Sequence, residues 1–305
     1  MKTISKILND LHTSLHLPDN FSGRTIVYVH GGPGSNSVDF EAGLAHFSEL
    51  TSSGFAWITY DQRGCGRSES TKLPLTHRTN IDDLKNLLSI IPREFGEVGV
   101  LSLYRHSYGA RLVYDLLFTN PELQICAVIS GRSVHPLDAM NTSILMDIMI
   151  LRERNNAGFQ RVCEFLSQHK GEPYELAKQV REQFIGSEYR QSERQKFYWI
   201  NEEAMRWWNK AQKQSNFSDS DEVYFQVAAT FQDESFNAGT FDPSLLLQPC
   251  MLIQGFFDVL MNGPAAPRLQ NPINGCKLNG SAHYPHFEQP EKFMAVLSRF
   301  FCHER

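Results

Sequence analysis

Short β-branched runs that each stop dead at a glycine-bearing turn constrain this chain more than anything else in it. RTIVYV at 24–29 ends at His30-Gly31-Gly32-Pro33-Gly34, and FAWITY at 55–60 ends at Asp61-Gln62-Arg63-Gly64-Cys65-Gly66-Arg67-Ser68. VGVLSLY at 98–104 runs into Arg105-His106-Ser107-Tyr108-Gly109, and ICAVIS at 125–130 is a fourth run. Runs this short and this apolar read as buried strands. Between them the period changes. Ile81, Leu84, Leu87, Leu88 and Ile91 recur at helical spacing, with Thr79 or Asn80 able to cap the start and Pro92 marking the end. A second helix is expected through Ala110–Phe118. Strand alternating with helix at this spacing predicts an α/β fold whose mostly parallel sheet is covered on both faces.

The alternation lapses after about residue 132. Residues 135–240 carry helical periodicity and few strand signals, densest in RQKFYWINEEAMRWWNKAQKQ. PCMLIQ at 249–254 resumes the strand pattern, and the end of the chain reads as a helix over 290–301, with Phe293, Val296, Leu297 and Phe300 on one face. The expected organisation is a sheet core over 1–132, an inserted helical cap over 133–240, and the rest of the core over 241–305. The 23 residues before the first strong strand are short, so leading strands are expected to be reduced or missing.

Composition excludes several classes. A net charge of −5 supplies no basic field for nucleic acid or an anionic membrane. There is no run of some eighteen apolar residues to span a bilayer. MKTISKILNDLHTS mixes charge and polarity too early for a signal peptide. Six scattered cysteines with no C-x-x-C pair read as reduced packing thiols of a cytoplasmic protein. Position 69 is glutamate where a dinucleotide fingerprint beginning at Gly64-Cys65-Gly66 would need its last glycine, and there is no phosphate-binding loop. His286, three residues after His283, has no supporting ligands and reads as a turn-packing histidine. No cofactor and no metal are expected.

Ser107 is the first chemical candidate. A serine hydroxyl needs a base and a geometry that exposes its oxygen, and a sharp strand-to-helix turn supplies the second. An ordinary helix-capping serine fits the same segment. The usual G-x-S-x-G pattern has Arg105 in place of its first glycine, so that side chain is expected to swing outward or to disturb the turn. Turned toward the site, it would instead place a cation there, which suits a carboxylate-bearing substrate. HGGPG exposes backbone N–H groups, with Gly32 the best oxyanion donor beside Tyr108, although the string also makes a plain tight turn. Asp258 in GFFD and His283 in GSAHYP each follow a late strand, giving the chain order Ser, Asp, His of the α/β-hydrolase triad.

HGGPG, DQRGCGRS and GSAHYPHFEQPEKF together resemble the proline iminopeptidase family of α/β-hydrolases, over about 24–132 and 249–301. The resemblance implies an α/β-hydrolase fold with an inserted helical cap. It implies Ser107 as nucleophile, His283 as general base, Asp258 as its orienting acid, and Gly32 with Tyr108 as oxyanion donors. Asp61 and Arg63 would brace a loop. Family members that trim N-terminal residues hold the free α-amine with cap glutamates. Asn209 stands where the first of these would fall, which leaves Glu234 as the best anchor, and a solvated surface carboxylate is the alternative. Of the cap aromatics, Phe197, Tyr198, Trp199, Trp207 and Trp208 can line an apolar pocket, though packing against the core explains most of them. The expected substrate is a short peptide with a free N-terminus, proline first, or another small molecule. A carboxylesterase or lactonase on the same scaffold, and a non-catalytic binder with an elbow disturbed by Arg105, are the other readings.

Overall fold

A computed structural model describes residues 1–68, 74–131, 136–171, 173–185, 187–231, 245–260 and 275–303. Among the described residues the strands are β1 (Lys2–Leu8), β2 (Leu11–Leu17), β3 (Arg24–Val29), β4 (Ala56–Tyr60), β5 (Val100–His106), β6 (Cys126–Ser130), β7 (Cys250–Gly255) and β8 (Gly275–Leu278). They form one sheet in the order β1-β2-β4-β3-β5-β6-β7-β8. The β1-β2 and β2-β4 pairs are antiparallel, and every other pair is parallel. The interior strands β4 and β7 are buried at every residue, as a sheet covered on both faces requires.

The leading strands are therefore present. Asn9 and Asp10 both take positive φ, which lets a two-residue turn join β1 to β2 with Leu8 opposite Leu11. β1 lies at the sheet edge, and Lys2, Ser5 and Lys6 give it the polar, charged character that discourages edge pairing. That same polarity is why KTISKIL does not stand out as a strand in the sequence.

Twelve helices occur among the described residues. On the core, α1 (Val38–His46), α2 (Glu49–Ser52), α11 (Pro285–Glu288) and α12 (Pro290–His303) accompany one face, and α3 (His77–Phe95) and α4 (Tyr108–Thr119) the other. α3 buries Ile81, Leu84, Leu87, Leu88 and Ile91 in the apolar cluster it shares with α4 and the sheet, each worth about 1.5–3 kcal/mol. It begins earlier than expected, because the Thr76 side chain accepts from the Thr79 N–H, and it runs past Pro92 to Gly96 at φ 81°. Pro92 lies in the last turn, where it withholds the N–H that would have reached the Leu88 carbonyl, and the helix ends four residues later at Gly96.

Between β6 and β7 lie α5 (Pro136–Arg154), α6 (Asn156–Gln168), α7 (Pro173–Phe184), α8 (Ser187–Tyr198), α9 (Glu202–Ser215) and α10 (Asp221–Ala228). α5 to α7 share an apolar cluster of their own, built on Leu151, Val162, Val180 and Ile185. α9 and α10 join the clusters of the sheet core through Ala204, Trp208, Val223 and Val227. Among the described residues no helix is long and apolar enough to cross a membrane.

Candidate active site

Ser107 stands between the end of β5 and the first turn of α4 with φ 55° and ψ −122°. A non-glycine residue in this region carries about 1–3 kcal/mol of strain, which surrounding structure must hold in place. The Ser107 N–H donates to the Ser130 carbonyl at 3.0 Å, and its carbonyl accepts from Ala110 at 2.9 Å. Its side chain makes no capping hydrogen bond to the helix, so the capping reading fails. The turn also needs room. A Cβ on Gly109 would lie 2.3 Å from the Val29 carbonyl oxygen, so only glycine lets α4 approach β3 this closely.

Asp258 and His283 meet across 25 residues. His283 Nδ1 donates to Asp258 Oδ2 at 3.0 Å, and Asp258 is wholly buried, with Oδ1 accepting from the Leu260 N–H. With Nδ1 committed in this way, Nε2 is the nitrogen left to accept a proton. Three further contacts fix the histidine. Its N–H donates to the Tyr198 carbonyl at 3.0 Å, its carbonyl accepts from His106 Nε2 at 2.7 Å, and the preceding Ala282 N–H donates to Glu288 Oε2 at 2.6 Å. Burial drives His106 well below the usual imidazole range, with His283 and His286 adding to the shift, so His106 is a neutral donor here.

Gly31, Gly32, Ser107, Tyr108 and His283 all line one cavity of about 240 Å³. Gly32 has φ +109°, and a Cβ on Gly31 would stand 2.8 Å from that of Ser107. Tyr108 opens α4, so its N–H has no acceptor within the helix. Its hydroxyl is held by His77 Nδ1 at 2.9 Å and Asn80 Nδ2 at 3.1 Å, and His77 Nε2 meets Asp115 Oδ2 at 2.8 Å. Asp115 in turn takes the Arg111 Nε at 2.5 Å. All five groups are buried, so this polar network anchors the helix start behind the elbow.

Arg105 neither swings outward nor lines the cavity. It is 0% exposed, and none of its three guanidinium nitrogens has a hydrogen-bond partner. Strand alternation turns it away from the His106 face, and Tyr114, Asp115 and Cys250 are the groups that act on its charge. Burial pushes its pKa down to about 9, still above neutrality, so a charged group is sealed in the core.

The other expected residues divide clearly. Trp208 lines the cavity and donates through Nε1 to Asp39 Oδ2 at 2.9 Å. Trp207 instead stacks on His46 at 5.0 Å and packs edge-on to Phe47 and Phe287. Tyr198 lines the cavity, while Trp199 is buried and stacks on Tyr284 at 4.4 Å. Glu234 lies outside the described residues. His286 packs as expected, buried with Nδ1 at 2.8 Å from the Tyr104 hydroxyl. Among the described residues no group of three or more His, Cys, Asp or Glu is placed to hold a metal ion. Asp61 braces its loop by accepting from the Ser37 and Arg67 N–H groups and from Arg67 Nε, and it titrates at about 2 even though burial works against ionisation. Arg63 pairs bidentately with Asp83.

Sequence reasoning missed Asp39, in the first turn of α1, which lines the cavity together with Asp219. Burial raises its pKa to about 7, opposed by the Trp208 hydrogen bond and reinforced by Asp219. His106 and Glu288 were also missed, and no local pattern marks any of the three.

A strained serine between strand and helix, and a histidine-aspartate pair brought from beyond two later strands, define an α/β-hydrolase fold. Residues 26–296 match the model of the alpha/beta hydrolase family, and the chain belongs to that family. It is 24% identical to the Bacillus subtilis protein named Probable aminopeptidase YbaC, over 91% of this chain and 89% of that one. It is 36% identical to the proline iminopeptidase of Saccharolobus solfataricus, over 30% of this chain and 27% of the relative. The proline iminopeptidase-related protein of Thermus thermophilus superposes with a TM-score of 0.67, at 18% identity over 99% of this chain and 98% of that one. The resemblance to the proline iminopeptidase family read from HGGPG and DQRGCGRS is thus met by its relatives.

Proposed function

We propose that this hydrolase is a serine aminopeptidase that releases an N-terminal residue, proline first, from short peptides through an acyl-enzyme. The observation that carries the reading is the His283–Asp258 hydrogen bond opening onto the cavity that Ser107 lines at its strained turn. Ser107 Oγ attacks the scissile carbonyl while His283 Nε2 takes its proton. The Gly32 and Tyr108 N–H groups hold the oxyanion, His283 returns the proton to the leaving amine, and water then cleaves the ester. Relatives named aminopeptidase and proline iminopeptidase support the substrate class.

Two carboxylates besides Glu234 can serve as the amine anchor. Asp39 and Asp219 put two carboxylates on the cavity wall, where an ammonium would meet opposite charge. Asp39, at about 7, ionises as pH rises through neutrality. KM for prolyl p-nitroanilide is therefore expected to fall as pH rises from 6 to 8. N-acetylprolyl p-nitroanilide, which has no ammonium, should be turned over at least about tenfold less well. In Asp39→Asn the pH dependence of KM should flatten. Equal turnover of free and acetylated substrates would refute the amine requirement, and faster cleavage of p-nitrophenyl acetate than of either would favour the esterase reading.

A further inference from the structure

Two guanidinium groups on the helical side of the cavity take no part in the reaction above. Arg181 of α7 and Arg194 of α8 both line it, and both are fastened to Asp147 of α5, which is 1% exposed. Arg194 Nε donates to Asp147 Oδ1 at 2.6 Å and Nη2 donates to Oδ2, while Arg181 Nε lies 3.6 Å from Oδ2. Arg181 also sits over the Tyr224 ring, 5.2 Å from its centroid. An arginine gripped in this way is oriented before a ligand arrives, and its planar fork of N–H donors matches a carboxylate.

The position has a direction. Arg194 precedes Tyr198 by four residues, so the two share one face of α8. Tyr198 accepts the His283 N–H, and its ring lies 5.3 Å from the imidazole. His283 must pass its proton to the leaving amine, so the leaving half of the substrate lies on the His283 side of the cavity. In a dipeptide the terminal carboxylate comes within one residue of that nitrogen, a reach of roughly 3.3–3.6 Å. At about 240 Å³ the cavity is smaller than the roughly 300–1,000 Å³ typical of ligand pockets, which also favours a small substrate.

We propose that Arg181 and Arg194, held by Asp147, form a subsite for the free carboxylate of the leaving residue, so that the preferred substrates are dipeptides with both termini free. The proposal rests on the peptidase reading of Ser107. It is tested by comparing Pro-Ala with Pro-Ala-amide on the same preparation. The acid should have a KM about tenfold lower than the amide at similar kcat. In Arg194→Gln and Arg181→Gln the acid-to-amide ratio of kcat/KM should fall toward one, and a ratio cancels any loss of folded protein. A wild-type ratio near one, or a ratio unchanged in both variants, would overturn the subsite while leaving the hydrolase intact. If neither peptide is cleaved although a fluorophosphonate labels Ser107, the peptidase reading falls. The subsite is then read from protection of that labelling: stronger protection by the acid upholds it, and equal protection by acid and amide overturns it.

Discussion

Ser107 and Arg105 lie two residues apart and meet opposite demands. The serine must be exposed at a strained turn, and the arginine is wholly enclosed beneath α4 with no hydrogen-bond partner. An unpaired charge removed from water is among the costliest features a core can carry. Arg105→Met should therefore raise stability by about 1–4 kcal/mol, seen as a higher thermal midpoint. A lower midpoint would mean that the guanidinium is satisfied after all. Ser107, Asp258 and His283 were legible as candidates because each follows a strand in a fixed chain order. Asp39 was not, because its partner Trp208 lies 169 residues away and nothing local separates it from any other helical aspartate. Nor does the letter R at 105 reveal which face of β5 it occupies once the glycine pattern is broken.

β7 and the loop carrying His283 approach so closely that a Cβ on Gly255 would stand 1.8 Å from the Ala282 carbonyl oxygen. Backbone cannot yield as a flexible side chain can, so Gly255→Ala must displace Ala282 and with it the adjoining His283. The expected result is a fall in kcat of at least about a hundredfold with KM far less affected. Unchanged kcat would show that the loop tolerates the shift. β3, β4, β6 and β7 were readable because strands buried on both faces are continuous apolar runs. The β1-β2 hairpin was not, because β1 is a charged, half-exposed edge and the buried β2 carries Thr13, Ser14 and His16 among its leucines. The end of α3 was misplaced at Pro92 because the helix carries that proline within its last turn, and Gly96 at φ 81° supplies the stop.

The two halves of the site come from parts of the chain that the helices of 136–231 separate. These helices also reach back to the core: Tyr198 takes the His283 N–H, Trp208 bonds Asp39, and Glu288 Oε1 accepts the N–H groups of Ile200 and Asn201. That helices stand between β6 and β7, and that Ser107, Asp258 and His283 are candidates for one site, could be read from the sequence. How the insertion meets the core could not, since it depends on contacts between residues tens to hundreds of positions apart. Ser107 acting as a nucleophile served by His283 is the proposition on which every substrate argument depends. Reaction of the folded protein with a fluorophosphonate, followed by peptide mapping, addresses it without any choice of substrate. A single adduct on Ser107, absent in Ser107→Ala and strongly slowed in His283→Ala, is the expected result. A folded protein that takes up no label, or takes it up elsewhere, would contradict it.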